Sequence, residues 1–250
     1  FVCVAPFCVA YRAKILNVPR RDLLAISVLG ILFYFVFPMT FNNGLQLTTA
    51  SRGALIMSLM PTLSLLLGAV FKVEKLNIYK AMGCFIAIIG VALGVSSGLA
   101  QSVSSSSVII GDMFMFAVIV QGALFSVFSR RYFQKYGAWL VSVVSIAIGF
   151  LVPGLIFAGT SGIDPIMTLS STEFMYLLIL GTIRVPIQFG LFAWSLSRLG
   201  PSRATMYIVL TPLSATVFSV AILNEAVTPI FIAGLLVVIS AIFLANRKDE

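Results

Sequence analysis

A single arginine, Arg184, interrupts a long apolar stretch that runs from about residue 174 to 197. A guanidinium group is always charged and presents its donors in a planar fork, which suits a carboxylate or another anion. Gln188 follows one helical turn later, so in a helix the two side chains share a face. The pair predicts an anion contact deep inside an apolar segment. The alternative is a structural role, with Arg184 held by backbone carbonyls or by another polar partner.

Weaker candidates for the same polar environment lie in other apolar stretches of the chain. Their amide and hydroxyl groups can bind a ligand or join neighbouring helices, and their aromatic and methionine side chains can form cavity walls or simply pack. We expect these residues to line a central cavity: the polar Asn42, Asn43, Gln121, Tyr207 and Thr211, with Tyr34, Met57, Met60, Phe192 and Trp194 as apolar or aromatic walls.

Several kinds of catalytic chemistry find no support in the residues. The chain has no histidine, which removes His-based triads and histidine proton relays. Cys3, Cys8 and Cys84 lie in apolar stretches without the spacing of metal ligands. No Gly-x4-Gly-Lys phosphate loop is present. An intramembrane enzyme is therefore disfavoured, and we predict neither a metal site nor a cofactor.

The elements that must position these residues are membrane helices. Hydrophobic residues make up 60% of the 250 residues, charged residues only 10%, and the mean hydropathy is +1.11. A soluble domain is roughly 45–50% apolar and about a quarter charged. The sequence predicts an all-α membrane protein with a partial span at 1–16. Eight complete spans are expected at 23–45, 53–71, 77–97, 111–129, 138–159, 174–197, 204–223 and 228–245.

The basic residues orient these spans. When the connections are assigned alternately to the two sides, one side receives fourteen of the Lys and Arg residues and the other receives only Arg52. Such a bias in short loops predicts that the basic side, which includes the C-terminus, is cytoplasmic. The net charge of +8 is thus explained by topology, and no nucleic-acid partner is predicted.

The chain also repeats itself at an offset of 151 residues without a gap. The offset matches Gly30 with Gly181, Ser51-Arg52 with Ser202-Arg203, and Pro61 with Pro212. It also matches Glu74 with Glu225 and Gly83 with Gly234. A repeat of this size in an apolar chain is typical of a transporter built from two homologous halves.

The repeat predicts five spans in each half. The stretch 22–95 holds three predicted spans and matches 173–246, whereas the span at 111–129 has no counterpart in the first half. We therefore expect an inverted-repeat transporter of five plus five helices with the first helix missing from this chain. The expected divisions are an incomplete first repeat at 1–97, a serine-rich connecting loop at 98–110 and a second repeat at 111–246.

The repeated motif resembles the EamA domain of the drug/metabolite transporter superfamily. Each half carries a Leu-x5-Ser-Arg-x8-Pro-x12-Glu-x8-Gly pattern, from Leu45 to Gly83 and from Leu196 to Gly234. The resemblance covers nearly the whole chain and implies a ten-helix carrier of the inner or plasma membrane with both termini cytoplasmic. It also implies a small-molecule substrate, commonly an exported amino acid, related metabolite or drug. Transport would proceed by alternating access through a central cavity between the inverted repeats.

Two further alternatives remain open within the membrane proteins. A nucleotide-sugar or organic-phosphate antiporter of the same superfamily would need several basic residues in the cavity, and only Arg184 is visible. A channel is the less favoured alternative.

Within the transporter interpretation, Pro61 and Pro212 occupy equivalent mid-span positions and are predicted to kink their helices, which makes them candidate hinges.

Overall fold

The computed structural model is helical wherever regular structure is assigned. It describes residues 11–12, 14–73, 77–96, 105–160, 170–179, 181, 185–199, 214, 217–218, 220–222 and 228–245. The helices are α1 (Arg20–Ile31), α2 (Phe37–Leu47), α3 (Ala50–Met57), α4 (Met60–Val70), α5 (Ile78–Ser96), α6 (Ser105–Tyr136), α7 (Ala138–Thr160), α8 (Ser171–Ile179), α9 (Val185–Leu199) and α10 (Pro229–Ala245). A π-helical segment, Leu32–Val36, joins α1 to α2. The described part of the chain contains no strand, which confirms an all-α membrane protein.

Five helical segments within the described residues are long and apolar enough to cross a bilayer. They are Arg20–Leu47, Ala50–Val70, Ile78–Val95, Ser106–Tyr136 and Ala138–Ile156. These segments correspond to the first five complete spans predicted from the sequence. The sixth prediction, 174–197, coincides with α8 and α9, and the eighth with the shorter apolar helix α10. Most of the predicted span 204–223 lies outside the described residues.

Helix α6 is longer than the span predicted within it. It begins at Ser105 and ends at Tyr136, whereas the hydropathy pattern predicted 111–129. The additional residues at the start are three serines followed by valine and isoleucine, and those at the end include Arg130, Arg131 and Lys135. A 32-residue helix is about 48 Å long, so it extends beyond the hydrocarbon core of a bilayer, which is about 30 Å thick.

The chain divides into two compact units that each draw on both sequence repeats. The first unit comprises residues 1–36 and 128–198, and the second comprises 37–127 and 199–250. The divisions fall at the end of the π-helical segment and within α6. In the first unit α1 and the π-helical segment pack on α7, and in the second α5 packs on α3, α4 and α10.

The close contacts within the units give the relative directions of three helix pairs. Gly30 lies against Ser145, and Gly149 lies against Gly30 and Tyr34, so α1 and α7 run parallel. In the second unit Leu47 faces Gly111. Further along these two helices Thr40 contacts Gln121, so α2 and α6 run antiparallel. Both directions are those of a chain that crosses the bilayer alternately from one predicted span to the next.

Helices α5 and α10 are equivalent in the sequence repeat and run in opposite directions. Gly90 lies closest to Val238, Val237 and Gly234, whereas Gly94, one turn later, lies against the Phe231 carbonyl and Gly234. The contact on α10 thus moves towards its start as α5 advances. Since the 151-residue offset maps Gly83 of α5 onto Gly234 of α10, the two copies of this helix are inverted relative to each other. This is the arrangement that an inverted repeat requires.

One end of the first unit carries a polar contact between the first turn of α1 and the last turn of α6. Lys135 Nζ lies 2.7 Å from Asp22 Oδ2, and the Tyr136 hydroxyl donates to the same oxygen. The start of α1 and the end of α6 therefore lie at one end of the unit. This agrees with the prediction that the basic segments 12–22 and 130–136 share one side of the membrane.

The residue that the repeat matches with Asp22 has a different local role. Glu173 is the third residue of α8, and its carboxylate accepts hydrogen bonds from the hydroxyl and backbone N–H of Ser170. The Ser170 hydroxyl in turn accepts from the Glu173 N–H, which completes a capping box at the start of the helix. The hydroxyl and then the backbone N–H of Ser170 lower the pKa of the Glu173 carboxyl.

Candidate functional site

Gln121 occupies the middle of the longest helix and is the central polar residue of the candidate site. It lies halfway along α6, and its Nε2 donates a hydrogen bond of 3.1 Å to Thr40 Oγ1 on α2. Its Oε1 is buried and has no hydrogen-bond partner among the described residues. A buried amide oxygen without a partner is costly, particularly in an apolar medium. The position therefore offers one unused acceptor to a ligand that carries an N–H or O–H donor.

The surroundings of Gln121 are apolar and tightly packed. The next residue, Gly122, is contacted by Met60 of α4, with Phe37 of α2 close by. A β-carbon at position 122 would clash with the terminal carbon of Met60 and lie 3.4 Å from the Phe37 ring. Gln121 thus presents its buried acceptor among closely packed apolar side chains.

A second polar cluster, which sequence reasoning missed, surrounds Asp112 near the start of α6. The Asp112 carboxylate forms an ion pair with Arg52 of α3 and accepts a 2.9 Å hydrogen bond from the hydroxyl of Thr48. Arg52 also donates to the carbonyl of Val95 at the end of α5. We call Asp112, Arg52, Thr48 and Val95 the Asp112 cluster. The sequence contained a hint of this pairing. Arg52 and Asp112 each lie at the start of an otherwise apolar predicted span, on the side of the membrane that receives few basic residues.

The expectation that Arg52 is a loop residue is wrong. It is the third residue of α3, and only 5% of its side chain is exposed. The Thr49 hydroxyl caps the helix by accepting from the Arg52 N–H. A guanidinium removed from water requires a counterion and acceptors, and Asp112 and the Val95 carbonyl supply them. Charge counting could not reveal this pairing, because it does not show which side chains meet.

Two of the predicted cavity residues contribute to packing. Tyr34 belongs to the π-helical segment and is buried, with its ring edge-on to Phe33 at a centroid distance of 5.4 Å. A β-carbon on Gly149 of α7 would lie 2.5 Å from the Tyr34 Cβ, so Tyr34 sits in the contact between these helices. Met57 ends α3 and packs against an apolar cluster that includes Met115 and Phe231.

Three predicted polar residues expose their side chains. Asn42 and Asn43 lie on α2, and Gln188 lies in α9. An exposed amide inside a spanning segment is more stable against water than against lipid tails. These positions are thus consistent with a water-filled path. Of the wall candidates, Phe192 stacks on Phe33 at 5.9 Å. Trp194 is exposed beside Arg198.

Several predicted site residues lie outside the described part of the chain. They are Arg184, Tyr207, Thr211 and the second hinge candidate Pro212, together with the end-of-helix residues Glu74 and Glu225. Within the described residues, no group of three His, Cys, Asp or Glu side chains could hold a metal ion.

Pro61 is described, and a helix interruption occurs beside it. Helix α3 ends at Met57, and α4 begins at Met60, so Pro61 lies in the first turn of α4. Proline is tolerated there because the first helical N–H groups have no intrahelical partner. Ser58 and Leu59 connect the two helices, and their backbone N–H groups donate to the carbonyls of Leu55 and Ile56, three residues earlier. The structure thus places Pro61 just after a two-residue break between helices, whereas the sequence predicted a proline inside one helix.

Comparisons with known proteins agree with this architecture. One solved crystal structure superposes on this chain with a TM-score of 0.66 at 18% sequence identity. The match covers 98% of this chain and 82% of the chain in that structure, so the two share a fold. The uncharacterized transporter YdfC of Bacillus subtilis (strain 168) is 26% identical over 229 residues, which cover 91% of this chain and 72% of YdfC.

A relative from Streptantibioticus cattleyicolor, a probable terminal-alkyne amino-acid exporter, is 28% identical over 255 residues. The match covers 98% of this chain and 81% of the relative. The sequence pattern of the EamA-like transporter family matches residues 1–96 and 109–247. This match includes both repeats, Gln121 and the Asp112 cluster. On this match over most of its length, the chain belongs to the EamA-like transporter family.

Proposed function

We propose that this transporter exports amino acids or related small metabolites by alternating access. The observation that carries the proposal is Oε1 of Gln121 at the centre of α6, which is buried near apolar side chains and has no partner in the described part of the chain. An ammonium group would supply the N–H donor that this oxygen lacks, and Met60 and Phe37 are the apolar side chains beside it. The similarity to a probable amino-acid exporter supports the same substrate class.

The carboxylate of such a substrate needs a cation, and Arg184 is the residue proposed to supply it. A lone guanidinium fits one carboxylate better than a phosphate, which usually requires several basic residues. Arg52 does not add to this charge, because Asp112 already neutralises it. These observations favour an amino-acid exporter over a nucleotide-sugar or organic-phosphate antiporter. The cytoplasmic placement of the C-terminus and residence in the cell membrane belong to the same proposal.

The proposed contacts are tested by matched substrate analogues in proteoliposomes. The substrates are an apolar amino acid, its N-acetyl derivative and its carboxamide, each measured for wild type, Gln121→Leu and Arg184→Gln. Loss of a hydrogen bond to a charged group corresponds to roughly a 10- to 100-fold loss of transport efficiency. Wild type is expected to prefer the amino acid over both derivatives. Gln121→Leu should lose the preference over the N-acetyl derivative, and Arg184→Gln should lose the preference over the carboxamide.

Matched controls separate these effects from general damage. Gln46→Leu alters an exposed glutamine at the end of α2, and Arg198→Gln alters an exposed arginine in the last turn of α9. Both controls should transport and discriminate as wild type does. If Gln121→Leu and Arg184→Gln discriminate as wild type does, the proposed contacts are wrong. If sugar phosphates are transported in preference to amino acids, the substrate class is wrong.

A further inference from the structure

The Asp112 cluster joins four chain segments through one carboxylate and one guanidinium. Asp112 binds Thr48 with Oδ1 and Arg52 with Oδ2, and Arg52 reaches the Val95 carbonyl. The start of α6 is thereby attached to the connection between α2 and α3, to the first turn of α3, and through Arg52 to the end of α5. No other described ion pair in the second unit makes such a connection.

This cluster lies at one end of the contact between α2 and α6. At that end Gly111 packs on Leu47, followed by Phe114 and Met115 on Gly44. Gln121 lies nine residues after Asp112 on α6, or roughly 13 Å deeper at helical rise. The cluster therefore covers the end of the same helix contact that contains the proposed substrate acceptor.

Arg52 lacks one of the hydrogen bonds that a permanent structural contact would be expected to satisfy. Its Nη1 and Nη2 atoms have acceptors, but its buried Nε has none among the described residues. A buried ion pair offsets the loss of hydration only when its remaining donors are also satisfied. An alternative state in which the guanidinium is hydrated would therefore compete with the paired state. Asp112, whose side chain is 16% exposed, is the partner that water reaches more easily.

From these observations we infer that the Asp112 cluster is a gate on the non-cytoplasmic side of the transporter. While Asp112 holds Arg52 and Thr48, the outer end of the α2–α6 contact is closed. When the ion pair separates, this end opens and the region around Gln121 and Thr40 becomes accessible from outside. The inference rests on the proposed function, and on the orientation predicted from the basic residues.

The sequence repeat provides an internal comparison for this gate. The 151-residue offset maps Ser51-Arg52 onto Ser202-Arg203, and the charge bias assigns Arg203 to the cytoplasmic side. Opposite placement of equivalent residues is expected in an inverted repeat. Loss of Arg52 should therefore alter access from the non-cytoplasmic side, whereas loss of Arg203 should not increase that access.

The gate is tested by side-specific labelling of a cysteine placed next to Gln121. Thr40→Cys is introduced after Cys3, Cys8 and Cys84 have been replaced by alanine, and a membrane-impermeant maleimide is added to right-side-out vesicles. If the open state is a minor population, making it dominant raises the labelling rate roughly tenfold or more. Asp112→Asn and Arg52→Gln should each produce this increase.

Two controls connect the labelling rate to the ion pair. The exchanged pair Arg52→Asp with Asp112→Arg should bring the rate back towards that of the parent. Lys135→Ala breaks the exposed pair with Asp22 in the first unit and should leave the rate unchanged. Arg203→Gln should likewise give no increase from the non-cytoplasmic side.

The outcomes are distinguishable from misfolding and from failure of the proposed function. Inside-out vesicles reveal misfolding, because a loosened protein is labelled from both sides. A labelling rate that increases from both sides, or an unchanged rate in Asp112→Asn, overturns the gate. The labelling needs no substrate, so it can support the gate even if amino-acid efflux is absent. Conversely, efflux by wild type with no labelling change in Asp112→Asn refutes only the gate.

Discussion

The backbones of Gly90 and Gly234 meet directly where the repeat-related helices α5 and α10 cross. A β-carbon on Gly234 would lie 2.6 Å from the Gly90 carbonyl oxygen, and one on Gly90 would lie 2.9 Å from the Gly234 carbonyl oxygen. Small residues permit such an approach, and in membranes the resulting packing replaces the hydrophobic driving force that is missing between helices.

Enlarging Gly234 should therefore destabilise the second unit. In Gly234→Ala the new methyl group meets backbone atoms of α5, which can move aside only by separating the helices. Overpacking of this kind typically costs about 1–3 kcal/mol. Gly154→Ala is the matched control, since a β-carbon there has no neighbour within 4 Å. Thermal unfolding in detergent should show a lower midpoint for Gly234→Ala alone, and equal midpoints would contradict the close crossing.

The two described ion pairs should differ strongly in their effect on stability. Asp112→Asn removes the counterion of Arg52, and removal of one partner of a buried pair costs about 3–5 kcal/mol. Lys135→Ala removes a side chain that is 59% exposed, and surface pairs are worth about 0–1 kcal/mol. Thermal unfolding of the purified variants measures both effects. A similar small change in the two proteins would show that burial does not strengthen the Asp112 pair.

The orientation of the helices can be measured with single cysteines. Arg21→Cys and Lys135→Cys lie at the end of the first unit where Asp22 and Lys135 meet, and should resist a membrane-impermeant thiol reagent in intact cells. Gln46→Cys, exposed at the end of α2 nearest the Asp112 cluster, should react. The reverse pattern would place the basic loops outside and invert the topology.

The break before Pro61 should contribute to turnover more than to binding. In Pro61→Ala the backbone N–H is restored, which favours fusion of α3 and α4 into one helix across Ser58 and Leu59. A stiffer segment is expected to slow the change between inward- and outward-open states, with kcat reduced and KM nearly unchanged. Efflux kinetics would distinguish this from a substrate contact, for which KM should rise. Unchanged kinetics would remove Pro61 from the list of hinges.

Hydropathy and the repeat predicted the helices because both properties are encoded locally. The first five complete spans recur as membrane-length helices, and the matched residues Gly83 and Gly234 lie on two helices that run in opposite directions. Helix ends were less predictable, as α6 shows, because serine-rich and basic turns can continue a helix beyond the hydrocarbon core.

The polar contacts depend on tertiary packing and were only partly predictable. Gln121 was recognised as a mid-span amide, but its bond to Thr40 depends on how α2 crosses α6. Asp112 was overlooked because it lies at the end of its span, where a single acid is common. Its importance appears only when α3 brings Arg52 against it.

Substrate transport by the purified protein is the most direct test of the account. Proteoliposomes loaded with a labelled apolar amino acid are compared with liposomes containing Arg184→Gln, and with liposomes lacking protein. We predict saturable efflux through the wild-type protein that unlabelled amino acids inhibit and sugar phosphates do not, with a strongly reduced rate for Arg184→Gln. Efflux that rises linearly with concentration would indicate a channel, and efflux of sugar phosphates but not of amino acids would contradict the proposed function.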